Sequence, residues 1–189
     1  MINARFAALW MTVLLASNAV AGELETVPFV DLERYMGRWF EIARLPNEFQ
    51  EGCDRAEALY ALEPEGTVRV VNTCFAAGGD EPRSVEGVAE VVDGATNAKL
   101  RVSFLPPWLR WTGLGWGDYW VVMLDEGYQY AVVSEPRRRY LWVLAREPQL
   151  PDATWASIRE ELERRGFALD DLIVGGAGVT GEPAASPPH

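Results

Sequence analysis

Between Gly37 and Arg146 the apolar positions fall mostly at every second residue, which predicts strands. The segments are Arg38 to Arg44, Arg55 to Leu62, Val68 to Cys74, Val85 to Val92, Lys99 to Leu105, Tyr119 to Leu124, Tyr128 to Val133 and Tyr140 to Arg146. In Arg55 to Leu62 one face carries Ala56, Ala58, Tyr60 and Leu62. In Lys99 to Leu105, Leu100, Val102 and Phe104 alternate with Lys99, Arg101 and Ser103. Turn signals such as Pro64-Glu65-Gly66, Asp93-Gly94 and Asp125-Glu126-Gly127 separate the strands, and no helical period interrupts them.

Eight successive strands with short turns predict an all-β, up-and-down antiparallel meander. Closing it into a barrel removes both edges and encloses room for one small ligand. Small residues on the strand faces (Ala56, Ala58, Gly87, Ala89) favour a cavity. A sandwich with a filled core fits the alternation equally. One C-terminal helix follows, with Asp152 as its cap and Gly166 as its end. Its stripe of Trp155, Ile158 and Leu162 reads as a face packed on the outside of the sheet. Leu172 to Val174 predicts a short added strand, and the Gly, Ala and Pro content from Gly175 to His189 predicts a disordered tail.

The first 21 residues read as a secretory signal peptide: Arg5, the apolar run Phe6 to Ala16, and Ala19-Val20-Ala21 before Gly22. Asn18 stands where a lipoprotein would need its cysteine, so the expected product is exported and soluble, in the periplasm, with a folded domain over 22–174. An exported chain with two cysteines suggests a disulfide, and the hairpin Arg55 to Cys74 brings Cys53 and Cys74 to the same end; two free thiols are the alternative.

Composition narrows the chemistry. The chain has 189 residues, the size of one domain, and a formal net charge of -11, which argues against nucleic acid as a partner. Its single histidine is the terminal His189, so no Ser-His or Cys-His pair and no His-based metal site is available within the fold. No cofactor is implied.

At Gly37-Arg38-Trp39 the sequence becomes specific. Asp31 to Arg44 (DLERYMGRWFEIAR) resembles the first signature of the lipocalins, in the pattern of the bacterial outer-membrane and apolipoprotein D-like branch. Leu124 to Tyr130 resembles the second signature, and Tyr140 to Pro148, with Arg146, the third. The segment Asn97 to Phe104 also reads like the bacterial branch, and the resemblance covers roughly Val27 to Val174. It implies an eight-stranded calyx whose floor is Trp39 beneath the Arg146 guanidinium, with the helix packed outside. The mouth then carries the connections Leu45 to Asp54, Phe75 to Ser84, Leu105 to Asp118 and Ser134 to Arg139.

By alternation the expected ligand wall is Tyr60, Val70, Asn72, Ala89, Leu100, Val102, Phe104, Tyr130, Val132 and Trp142. Tyr60, Asn72 and Trp142 match pocket positions of apolipoprotein D-like members. The expected rim is Trp108, Trp111 and Trp116 beside Arg137, Arg138 and Arg139, which suit an anionic headgroup and peripheral membrane contact. The resemblance implies non-catalytic carriage of a fatty acid or lysophospholipid in envelope maintenance. A lipocalin-fold enzyme, with Glu41 as the acid in the first signature, and a protein-interaction module using the Trp-rich rim are the alternatives.

Overall fold

The computed structural model describes residues 22–78 and 81–175. Residues 1–21, which the sequence pattern assigns to a signal peptide, residues 79 and 80, and residues 176–189, assigned to a disordered tail, lie outside the described residues. The strands are β1 (Gly37–Arg44), β2 (Arg55–Leu62), β3 (Val68–Phe75), β4 (Arg83–Val91), β5 (Lys99–Ser103), β6 (Trp116–Leu124), β7 (Tyr130–Ser134), β8 (Leu141–Ala145) and β9 (Ile173–Val174). Each strand from β1 to β8 pairs antiparallel with the next, and β8 returns to β1. The meander therefore closes into a barrel, which excludes the sandwich.

β1 serves two neighbours along one edge. Gly37 to Phe40 pair with β2, and Ala43 and Arg44 pair with β9. The added strand thus occupies the edge that β2 leaves, and Gly175 N–H donates to the Ile42 carbonyl to continue it. Three short helical turns were not legible in the alternation: α1 (Leu32–Tyr35), a 3-10 turn at Glu48–Gln50 and α2 (Pro107–Arg110).

The long helix α3 (Asp152–Arg164) lies outside the barrel as expected. Asp152 is its first helical residue, with Pro151 at the cap position. Its end follows a Schellman pattern: Gly166 has φ +81°, its N–H donates to the Glu163 carbonyl, and Phe167 N–H donates to the Leu162 carbonyl. Trp155, Ile158 and Leu162 pack on Ile42, Val122, Val132, Leu141 and Val143, so the barrel has an outer core under the helix as well as an inner one.

This second core corrects the phase assigned to β7. Ala131 and Val133 belong to the inner core, while Val132 and Tyr130 face outward toward α3. Tyr130 lines a groove between residues 25–28 and α3 rather than the calyx. A strand covered on both faces is apolar at consecutive positions, so Tyr-Ala-Val-Val carries no period-two signal to set its phase.

Candidate ligand-binding site

The closed end is built around Trp39. The turn α1, capped by Asp31 accepting from Arg34 N–H, tucks Tyr35 under the barrel, and the Trp39 indole N–H donates to the Tyr35 carbonyl at 2.8 Å. The Arg146 guanidinium lies over the indole, 3.8 Å from its centroid. It also donates to the carbonyls of Arg38 and Arg34. Gly37, at φ +97°, starts β1 here; a Cβ at this position would stand 3.3 Å from Arg146 Nη1.

Above the floor lies a layer of three tyrosines. The hydroxyls of Tyr35 and Tyr119 are 2.9 Å apart, and Tyr119 donates to Tyr60 at 3.0 Å. Tyr119 has one hydrogen, so Tyr35 must be its donor, and the Tyr60 hydrogen is left over. Burial pushes the Tyr60 hydroxyl up to about 12 and raises Tyr35 and Tyr119 well above the usual tyrosine value, so all three stay neutral near pH 7. Val68, Val70, Ala89 and Leu100 complete this storey around a cavity of about 20 Å³. That volume holds roughly one water, not a hydrocarbon chain.

Accessible space on the inner face of the barrel therefore lies above the tyrosines. Toward the mouth the inward-facing side chains become accessible: Asn72, Val102 and Trp142 are half-buried, Phe104 is 41% exposed and Val85 is 55% exposed. Phe104 lies over Gly87, where an added Cβ would fall 2.6 Å from its ring. The small residue at Gly87 thus receives a neighbour's ring rather than leaving a void. Below this level Tyr60, Val70, Ala89 and Leu100 are closed off within the inner core.

One wall of the cup carries a buried polar network. A bulge between Glu41 and Ala43 turns both Ile42 and Ala43 outward, which brings Arg44 onto the inner face that Glu41 already shares with Trp39. Arg44 donates to Glu41 at 2.7 Å and to the Cys53 carbonyl at 2.8 Å. Gln50 donates to the second Glu41 oxygen and accepts from the Trp142 indole N–H at 2.7 Å. The Cys53–Cys74 disulfide, with Cα atoms 5.4 Å apart, fastens this loop to β3 at the mouth. Alternation placed Tyr60, Asn72 and Trp142 on the wall but missed Arg44 and Gln50. Unbulged counting sends Arg44 outward, and Gln50 sits in a loop.

The rim differs from expectation at two sites. Trp116 packs on the outer face, with the Arg101 guanidinium 4.4 Å from its ring centre, and its indole N–H donates to the Arg110 carbonyl. Arg138 turns down the barrel side, donating to the carbonyls of Arg165 and Gly22, so it is unavailable to a headgroup. Its backbone lies in the left-handed region, with φ +58°. Arg137 and Arg139 remain exposed, and Arg139 lies 3.7 Å from the buried carboxylate of Glu135. Trp108 and Trp111 stand exposed at the mouth. Among the described residues no cluster of three or more His, Cys, Asp or Glu could hold a metal ion.

The family profile for a lipocalin-like domain matches residues 30–176. The chain is a lipocalin. It is 32% identical over 172 residues to the outer membrane lipoprotein Blc of Citrobacter freundii, covering 91% of this chain and 93% of that protein. It is 34% identical over 151 residues to apolipoprotein D of Macaca fascicularis, covering 76% and 75%. These place the lipocalin in the Blc and apolipoprotein D branch. Temperature-induced lipocalin-1 of Arabidopsis thaliana is 39% identical over 154 residues, covering 79% and 81%. The structure of insecticyanin from the tobacco hornworm Manduca sexta shares the fold, with a TM-score of 0.63 at 19% identity over 85% of this chain and 92% of that one. Lipocalins are in general non-catalytic binders of small hydrophobic ligands, and the graded apolar cup of this one suits that class.

Proposed function

We propose that this lipocalin carries a single-tailed amphiphile, a fatty acid or a lysophospholipid, in the bacterial cell envelope after export to the periplasm, and that it performs no chemistry on it. The observation carrying this reading is the division of the calyx into two storeys. The lower one is filled by the tyrosine layer, and the upper one is an accessible wall of Val85, Val102, Phe104 and Trp142 with Asn72 among them. A tail seated there ends on the tyrosines, while the polar end emerges at the rim near Arg137 and Arg139. Each buried methylene gains about 0.8 kcal/mol, which gives micromolar affinity for a chain of ordinary length after association costs. The names of the Blc relatives support an envelope setting.

Displacement of a fluorescent fatty-acid probe by oleate and by lysophosphatidylcholine tests the reading. One site per chain with micromolar competition is expected, and Asn72→Trp, which fills the upper storey, abolishes it without lowering the melting temperature. Probe binding that survives this substitution moves the ligand elsewhere and defeats the proposal.

A further inference from the structure

Two features of the rim point outward rather than into the cup. The first is a fixed apolar tip. In the β5–β6 connection, Trp108 and Trp111 are 69% and 82% exposed and Leu114 is 69% exposed. The loop holding them is internally bonded. Leu109 N–H donates to the Pro106 carbonyl, Thr112 Oγ1 to the Leu109 carbonyl, and Gly113 N–H to the Arg110 carbonyl. Trp116 clamps its base through the Arg110 carbonyl, and Leu105 packs over Gly115. The indoles are therefore presented to solvent by a built loop.

The second feature is the way charge divides around the mouth. The β1–β2 and β3–β4 connections lie side by side and bring Glu48, Glu51, Asp54 and Glu81. The β5–β6 and β7–β8 connections form the other half and bring Arg110, Arg137 and Arg139 against one buried acid, Glu135. A chain of net charge -11 is repelled by an anionic surface in most orientations. In the acidic half one exposed guanidinium, Arg83 on the Glu51 carbonyl, stands among four acids, so charge favours approach by the arginine half of the rim, which is also the tryptophan half.

We propose that this half of the rim docks on an anionic phospholipid bilayer, with Trp108, Trp111 and Leu114 at the headgroup level and Arg110, Arg137 and Arg139 facing the lipid phosphates. Tryptophan partitions to that level, and arginines near an anionic surface strengthen binding by about fivefold each. Docking tilts the acidic half away from the surface and sets the mouth against the lipid, so an amphiphile could pass between bilayer and calyx without crossing water. The docking shares Arg137 and Arg139 with the proposed headgroup position, but it rests on the tryptophan tip, which ligand carriage does not use.

Co-sedimentation of the mature chain with vesicles tests it, comparing phosphatidylcholine alone with vesicles containing one quarter phosphatidylglycerol. Expected is binding that favours the anionic vesicles and weakens with added salt. Trp108→Ser with Trp111→Ser should lose roughly tenfold or more on both compositions. Arg137→Glu with Arg139→Glu should lose more than tenfold on the anionic vesicles and little on neutral ones. Both variants should keep the wild-type melting temperature, and the tryptophan variant, whose residues lie outside the cup, should also keep the solution affinity for the fatty-acid probe. Wild-type protein that fails to pellet with anionic vesicles overturns the proposal, as do variants that pellet like wild type. A wild-type dimer that the tryptophan substitutions convert to monomer in sedimentation velocity overturns it too, because the tip then serves a second copy. If vesicles bind but the probe does not, carriage fails and docking stands.

Discussion

The Arg146 guanidinium lies 3.8 Å above the Trp39 ring and donates to the carbonyls of Arg34 and Arg38. It ties β8, β1 and α1 together at the floor, and burial lowers its pKa from the ordinary arginine value without discharging it. Arg146→Ala should cost about 2–3 kcal/mol in urea unfolding, from the lost cation–π contact and hydrogen bonds. Arg146→Lys should recover little, because an ammonium cannot lie flat on the indole and reach two carbonyls together. Full recovery by lysine would show that charge alone holds the floor.

Glu41 and Arg44 form a buried ion pair whose remaining bonds go to Gln50 and the Cys53 carbonyl. Removing one partner strands the other. Glu41→Leu or Arg44→Met alone should cost about 3–5 kcal/mol, and the double substitution should cost less than either. A double-mutant cycle by chemical denaturation reads this directly; additive losses would mean the two charges act independently.

The tyrosine layer sets an alkaline limit. Folding raises the Tyr60 pKa from 10.0 to about 12, and Tyr35 and Tyr119 are also raised, in each case chiefly by burial. Between pH 10 and about 12 the unfolded chain therefore loses protons that the folded one keeps. The stabilisation from neutral, buried tyrosines is complete below pH 10 and declines as pH rises through that window. Melting temperatures should fall above pH 10, and Tyr60→Phe should flatten the decline, followed alongside tyrosinate absorbance.

The Cys53–Cys74 bridge spans 21 residues and holds the loop from which Gln50 reaches Trp142. Replacing both cysteines with serine should lower stability by about 3 kcal/mol in the chain-entropy account. The near-ultraviolet circular dichroism of Trp142 should weaken as its partner loop loosens. An unchanged signal would mean that the loop holds its place without the staple.

Arg138 bonds the carbonyls of Arg165 and Gly22 rather than facing the mouth. Arg138→Ala should loosen the end of α3, costing about 1–2 kcal/mol, and leave probe affinity unchanged. A loss of affinity with unchanged stability would return this residue to the rim.

The barrel's outline was legible wherever a strand has one wet face. β2 shows the rule: Ala56, Ala58 and Tyr60 are buried and alternate with more exposed neighbours. The Lys99 to Phe104 alternation also ran true, and Phe104 reaches the inner face beside Gly87. The rule failed where α3 covers the outside, because Val132 and Val133 are both fully buried, one in each core. It failed again at the β1 bulge, where one extra residue reverses the direction of every side chain beyond it. Trp116 was misplaced for a related reason: it begins β6 as the cross-strand partner of Ser103, outside the barrel, and no local signal separates a tryptophan that clamps a loop from one that tops it.

Strand order follows from the sequence because it rests on period-two burial and short turns; closure, which alternation leaves open against a sandwich, and the Trp39–Arg146 floor come from the resemblance to the lipocalins. The depth of the calyx, the inward Glu41–Arg44 pair and the split rim were decided only by the tertiary structure. Each depends on side chains distant in sequence, three tyrosines from α1, β2 and β6 or arginines from two connections, and local pattern carries no record of which hydroxyl or guanidinium meets which.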